Sequence, residues 1–379
     1  MAEKFAKLRK ALSRKPTEKN WESVLDLLES WSDTSEQQLA VDYADSHMEH
    51  WPIHLRTSRF HTHKDAIWPL LRYLPYSSSE GYQTLLDTRP SQLKAIFIGF
   101  CGDYEDFHAL SFLTELEELH IHHAPALKTL QGIEVFKKLK LLRLTNCDAL
   151  RDVTNIEALE HLENIHLWYC QGPIDLKAFG KLKALEILQL DHCEAIEGLE
   201  ALSENKNLCH LQIQYNNQRT HLDELRHLTQ LKELELQGCK RLENASFLKS
   251  LHQLEKLSLY QCEGLTELSE AGHHPRMKTA ILSGCTSLEE INGLSNMHQL
   301  EELLLEDCTS LKDIEALSQL HQLQTLNLRG CTQLTSIAPI ATLPNLKKIN
   351  IQKCPAIQDR DLLSHFPKGV VKGLKKRRK

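Results

Sequence analysis

The 379-residue chain has no run approaching the ~18 consecutive apolar residues that a membrane span requires. Its first residues, MAEKFAKLRKALSRK, alternate charge with apolar side chains and lack the continuous apolar core of a secretion signal. A cytoplasmic location is therefore expected, and with it reduced thiols for the eleven cysteines. No C-x2-C pair occurs, so the cysteines do not form the usual zinc-binding pairs. Walker A, G-x-G-x-x-G, H-E-x-x-H and G-x-S-x-G are missing as well, and there is no separate segment to hold a kinase, nucleotidase or ubiquitin-ligase domain. The sequence thus points away from an enzyme and calls for no cofactor and no metal. At 41% apolar and 25% charged, the composition is that of an ordered soluble protein.

What the chain has in abundance is repetition, which bears on the whole fold. The pattern L-x-x-L-x-L-x-x-C begins at Leu93, Leu116, Leu139, Leu162, Leu185, Leu208, Leu231, Leu254, Met277, Leu300, Leu323 and Leu346, always 23 residues apart. Its ninth position is Cys101, Cys147, Cys170, Cys193, Cys239, Cys262, Cys285, Cys308, Cys331 and Cys354, with Ala124 and Asn216 as exceptions. In LEELLLEDC, Leu303 and Leu305 lie two apart and share one face of a short strand, while Glu302, Leu304 and Glu306 face the other way. Past the cysteine, Leu311, Ile314, Leu317 and Leu320 recur every three residues, a period that suits 3₁₀ or irregular turns better than an α-helix. Each coil therefore pairs a strand with a tight return, and it needs neighbours above and below to bury its apolar side chains. The recurring cysteine reads as a structural ladder of small, weakly donating side chains at the turn that leaves each strand.

These residues resemble the leucine-rich repeat family in a 23-residue variety with cysteine where asparagine is more common; the resemblance covers 93–357, about 70% of the chain. The fold expected is an α/β solenoid: an arc with a parallel β-sheet on its concave face, a 3₁₀ or irregular convex face and an N-terminal helical cap. At ~4.8 Å per strand, twelve strands would extend ~55 Å.

An open stack exposes apolar ends, so caps are expected. Residues 1–70 are read as the helical capping region, with Trp21, Val24, Leu25, Leu28 and Trp31 at helical spacing. A second helix is expected from Ser35, whose Gln38 completes a capping-box pattern, to Trp51-Pro52. Residues 71–92 read as a degenerate coil in which Leu71, Leu74 and Tyr76 keep the strand spacing. Residues 358–367 read as the closing cap. From 368 to 379 the chain is a solvated basic tail holding seven Lys and Arg; the chain's net charge is −6, and the remainder carries −13. The tail is also compatible with a nuclear address or a nucleic-acid contact.

Recognition on such a scaffold belongs to strand positions that point away from the core. His120, His122, Arg143, His166, Trp168, Tyr169, Asp191, His192, Gln214, Tyr215 and Tyr260 are the candidate partner-binding residues of the concave face. Tyr, Trp and Arg dominate interface hot spots because they bury much area with few rotors. A binding patch centred on Trp168 is expected. Farther along, acidic Glu302, Glu306 and Asp307 precede basic Arg329, Lys347, Lys348 and Lys353. His120, His122 and His166 invite a metal, but strands two apart lie ~9.6 Å from each other, so their ligands would have to lean together to reach one ion. Three coils depart from the pattern: His274 stands at a core leucine position, Gly172-Pro173 follows a cysteine, and Arg219 replaces an apolar residue.

The function expected is a non-catalytic protein–protein interaction scaffold that binds a partner of unspecified identity on its concave face. The alternative is an adaptor whose N-terminal helices recruit an enzyme such as a ubiquitin ligase. Nucleic acid is not expected as a partner except through the basic tail, nor is a membrane.

Overall fold

Leucines at the fourth and sixth places of each repeat pull one face of a short strand into the core, and the strands stack in parallel. The computed structural model describes residues 2–31, 40, 43–44, 75–76, 93–98, 104–193, 195–269 and 272–374. It divides into two compact units, Met1–Cys170 and Gln171–Lys379.

The first unit opens with helices α1 (Ala2–Leu12) and α2 (Glu18–Glu29). Thr17 caps α2 by accepting from the Asn20 N–H at 3.3 Å, a favoured N-terminal arrangement. Trp21, Val24, Leu25, Leu28 and Trp31 are all buried, so the apolar stripe faces inward as its spacing implies. Phe5 meets Trp31 edge-on at 5.6 Å between ring centroids. The helix expected from Ser35 to Trp51 lies mostly outside the described residues. The strands are β1 (Pro75–Tyr76), β2 (Ala95–Ile98), β3 (Glu118–Ile121), β4 (Leu141–Thr145) and β5 (Asn164–Trp168), paired in that order and all parallel. Pro75 pairs with Phe97, which puts the short strand of the degenerate coil in register with repeat position five.

In the second unit a long sheet runs β7 (Ile187–Asp191), β9 (His210–Gln214), β10 (Glu233–Gln237), β11 (Lys256–Ser258), β12 (Thr279–Ile281), β13 (Glu302–Leu304), β14 (Thr325–Asn327), β15 (Lys348–Asn350) and β16 (Val371–Lys372). The chain following Gly172-Pro173 forms β6 (Ile174–Asp175), which pairs with β8 (Ile196–Glu197) among the returns. From β7 to β15, equal repeat positions pair with equal, as in Leu303 beside Leu326, so the register is the repeat itself. Returns in both units are 3₁₀ turns, for example Thr154–Ala158 and Ser246–Ser250. This is the α/β coil architecture that the period of three implied. Leu300, Leu303, Leu305, Cys308, Leu311, Ile314, Leu317 and Leu320 of one coil are all fully buried. Each such leucine is worth ~1.5–3 kcal/mol only when neighbouring coils cover it.

His274 and Asn205, which stand in one column of otherwise apolar residues, are buried. The His274 Nδ1 lies 3.1 Å from the Leu251 carbonyl, and Asn205 Nδ2 donates to the Leu182 carbonyl at 2.8 Å. Both reach the equivalent backbone oxygen one coil earlier, which makes polar residues tolerable there. Arg219 pairs with Glu224 at 3.0 Å.

The basic end requires a correction, because it is not a tail over its whole length. Val371–Lys372 adds a final strand, with Ile349 N–H donating to the Val370 carbonyl (2.8 Å) and Ile351 N–H to that of Lys372 (2.9 Å). An open parallel edge exposes unpaired backbone groups, and this strand covers them. Residues 375–379 lie outside the described set. No helix among the described residues is long and apolar enough to cross a membrane.

Candidate binding surface

Most strands of the long sheets end in a turn with an unusual backbone. Asn146, Tyr169, His192, Tyr215, Gln261, Asp307 and Lys353, all at repeat position eight, have φ between 51° and 58°. Left-handed geometry is uncommon for side-chain-bearing residues and disfavoured by Cβ sterics. Here it turns the chain so that the ninth residue enters the core. In the second unit, Gly238, Gly284 and Gly330 occupy the same place in alternate coils at φ 66°, 78° and 80°. A Cβ on Gly238 would fall 2.5 Å from Tyr215 Cδ1, and one on Gly284 would fall 3.0 Å from Gln261 Cγ. A large side chain in one coil thus lies over the glycine of the next.

In most coils the ninth residue is a donor. Cys147, Cys170, Cys193, Cys239, Cys262, Cys285, Cys308, Cys331 and Cys354 are buried free thiols, while Cys101 lies outside the described residues. Where strands are five residues long, the thiols of Cys147, Cys170 and Cys193 sit 3.6–3.7 Å from the carbonyl two residues back. From β11 onward the strands shorten to three residues. There Cys262, Cys285, Cys308, Cys331 and Cys354 donate to the position-six carbonyl of the preceding coil at 2.8–3.1 Å. Asn216 fills the same column and donates to the Cys193 carbonyl at 3.0 Å. Cysteine and asparagine both supply a small donor to the column, and Ala124 fills it without one. Burial pushes the Cys308 thiol up to about 12 and raises Cys285 and Cys331 as well, which keeps these thiols protonated. Between Cys239 and Cys262, their mutual hydrogen bond is the main cause that lowers the first thiol and raises the second.

In the first unit, Arg143 and His166 are register neighbours on β4 and β5, with Arg143 Nη2 3.3 Å from His166 Nδ1. The guanidinium carbon lies 5.3 Å from the centre of the Trp168 ring, and the His166 and Trp168 rings are 6.3 Å apart. Tyr169 is 45% exposed. Trp168 Nε1 is buried without a hydrogen-bond acceptor. His122 is exposed and tilts against Phe97 at 6.3 Å. His120 departs from the expectation of an outward contact. It is paired on either side with Phe97 and Arg143 and is only 6% exposed.

In the second unit, the His192 ring stacks on Tyr215 at 4.3 Å, and its Nδ1 contacts the Asp191 carboxylate. Tyr215 Oη accepts from Gln237 Nε2 at 2.8 Å. The Gln214 carbonyl accepts from the His192 N–H, and that of Tyr260 from the Gly238 N–H. Tyr260 lines an open depression of about 370 Å³ with Glu306 and Asp307. Arg329 pairs with Glu306 and lies 3.7 Å from Asp307, so the acidic and basic stretches read from the sequence neutralise each other in part.

One cluster escaped the sequence reading. His210, Glu233 and Glu235 bring one donor atom each to within 4.8 Å of one another. Lys256 pairs with Glu235 and lies 3.8 Å from Glu233; the hydrogen bond to Glu235 raises its pKa. With an ammonium already balancing the carboxylates, this is an ion-pair cluster rather than a metal centre. The signal was present in the third repeat column, where His210, Glu233 and Lys256 follow one another.

Against known proteins, residues 214–355 match the family model described as plant disease resistance protein RPS2-like, leucine-rich repeats. The chain is a leucine-rich repeat protein. Among curated proteins, none matches this leucine-rich repeat chain. Solved structures similar to it include an internalin (inlF) from Listeria monocytogenes, at 18% identity over 68% of this chain and 79% of that one, with a TM-score of 0.47. A leucine-rich repeat protein of Leptospira interrogans matches at 19% identity over 82% and 92%, with a TM-score of 0.48. The functional domain of InlJ from Listeria monocytogenes, which includes a cysteine ladder, matches at 14% over 76% and 74%, with a TM-score of 0.41.

Proposed function

We propose that this leucine-rich repeat protein is a non-catalytic scaffold that holds a protein partner against the outward side chains of its strands. One observation carries the reading. The leucine and cysteine columns are buried in coil after coil, while the intervening columns keep partly accessible side chains of changing chemistry, from Arg143 and Trp168 to Gln214 and Tyr260. A rigid backbone with variable rigid aromatics is what interface hot spots need. The test is affinity purification with the wild type beside the double variant Trp168→Ala, Tyr169→Ala. Loss of a partner at unchanged urea midpoint supports the reading; an unchanged partner set refutes it for the strands around Trp168.

The N-terminal helices leave a second reading open, that of an adaptor recruiting an enzyme. It is favoured by the aromatic contact between Phe5 and Trp31, which gives α1 and α2 a small core of their own. Removal of residues 1–31 separates the two roles. A lowered melting temperature marks a cap, whereas an unchanged one with a lost ligase partner marks an adaptor.

A further inference from the structure

The concave columns of the first unit hold few acidic side chains; Glu118, at position three, lies 3.9 Å from His120. Among the described residues at positions five, seven and eight there is no carboxylate, whereas the same columns of the second unit hold Asp191, Glu235, Glu306 and Asp307. The one permanent cation is Arg143. It is held over the Trp168 ring at 5.3 Å and beside His166 Nδ1 at 3.3 Å. A guanidinium fixed in this way has already lost much of its rotamer freedom, and its fork of five N–H donors matches a carboxylate. The Trp168 indole N–H is a further donor, buried without an acceptor, and such groups call for an explanation. Beside them, Tyr169 offers the apolar surface that is 45% exposed.

We propose that this face binds an extended peptide segment through an Asp or Glu side chain set against Arg143, with the adjoining apolar residue lying on Trp168 and Tyr169. The proposal rests on the scaffold reading above and names the chemistry of the partner. A carboxylate is acceptor-only and complements the Arg143 guanidinium, which is donor-only. Strands β3 to β5 span ~10 Å, room for about three residues of an extended chain. A nucleic acid fits less well, because phosphate-backbone affinity grows with the number of Lys and Arg contacts and this face carries one.

The test pans a displayed library of random 12-residue peptides on the full chain, on Arg143→Gln and on Trp168→Ala. The best synthetic peptide is then measured beside its Asp→Asn or Glu→Gln counterpart. Retained peptides should be enriched in Asp and Glu. Either amidation of the peptide or R143Q should weaken binding roughly 10- to 100-fold, as expected for breaking a close charge pair, with Arg143→Lys in between. Equal urea midpoints for the variants show that folding is intact. Peptides that bind without acidic enrichment, lose affinity on W168A and ignore R143Q would overturn the carboxylate and leave the scaffold standing. Failure of W168A to reduce any retained peptide removes both for this face. A single-stranded 12-mer oligonucleotide that binds more tightly than any peptide, and is released by R143Q, would also overturn the proposal.

Discussion

The ring of Tyr215 fills the space that a side chain on Gly238 would need, with Cδ1 2.5 Å and Cε1 2.8 Å from the position of a Cβ. Gly238 also has φ 66°. Two separate penalties therefore fall on Gly238→Ala, left-handed strain of ~1 kcal/mol and steric overlap of ~1–3 kcal/mol. In a Tyr215→Ala background only the first should remain. A double-mutant cycle on urea midpoints checks this, and additivity of the two changes would show that the ring does not set the glycine requirement.

The ladder thiols should differ in weight. Cys308 donates to the Leu282 carbonyl at 3.1 Å, whereas Cys147 lies 3.7 Å from the Thr145 carbonyl. Cys308→Ala leaves the Leu282 carbonyl only the Cys285 N–H as a donor and should destabilise by ~0.5–1.5 kcal/mol, with Cys147→Ala costing less. Asn216→Ala should resemble Cys308→Ala, since its amide also donates across coils. Chemical denaturation of the three variants measures the order.

Thiol reactivity should follow burial. Cys209 is the one described cysteine that is not buried, and Cys308 is held up to about 12 by burial. With a thiol reagent at pH 8 in the native state, Cys209 should label before the other nine described thiols, and Cys308 only on unfolding. Peptide mapping after timed labelling decides.

Lys256 carries a pH dependence with a definite sign. Its pKa is raised above 10.5 by the hydrogen bond to Glu235. The protonated form is thus favoured by folding, so its contribution is complete below the unfolded pKa and disappears as pH climbs through the raised folded one. Lys256→Met should lower the melting temperature by a constant amount from pH 7 to 9. The gap should narrow above pH ~10.5. A gap that persists undiminished at pH 11.5 would assign the loss to packing of the lysine stem.

The final strand should protect the sheet edge. Truncation after Pro367 removes the carbonyls that accept from Ile349 and Ile351 and uncovers side chains now 1% and 0% exposed. The shortened chain should melt lower and self-associate, because an unpaired strand edge invites another. Sedimentation velocity reads the association directly.

Much of this was legible along the chain. The 23-residue period, the Leu303 and Leu305 spacing and the period of three after Cys308 are local signals that read directly as strand, turn and 3₁₀ return. The outward columns could be enumerated for the same reason, since strand alternation is a property of the backbone. Other features depended on neighbouring coils. His120 looks like a surface residue in its own strand, yet it is covered because Phe97 and Arg143 flank it. The glycines of position eight read as ordinary turn residues, although Tyr215, Gln261 and Asp307 one coil earlier require them.

The sequence by itself determined the coil: its length, its buried columns, its strand register and its family, because each follows from spacing within 23 residues. Tertiary structure decided which outward residues stay accessible, which carbonyl each thiol meets, that Lys256 closes the cluster of Glu233 and Glu235, and that Val371–Lys372 becomes a strand. Those outcomes turn on contacts between side chains 21 to 26 residues apart, or on backbone pairing at the end of the stack. Only stacking brings these groups within a few ångströms of each other.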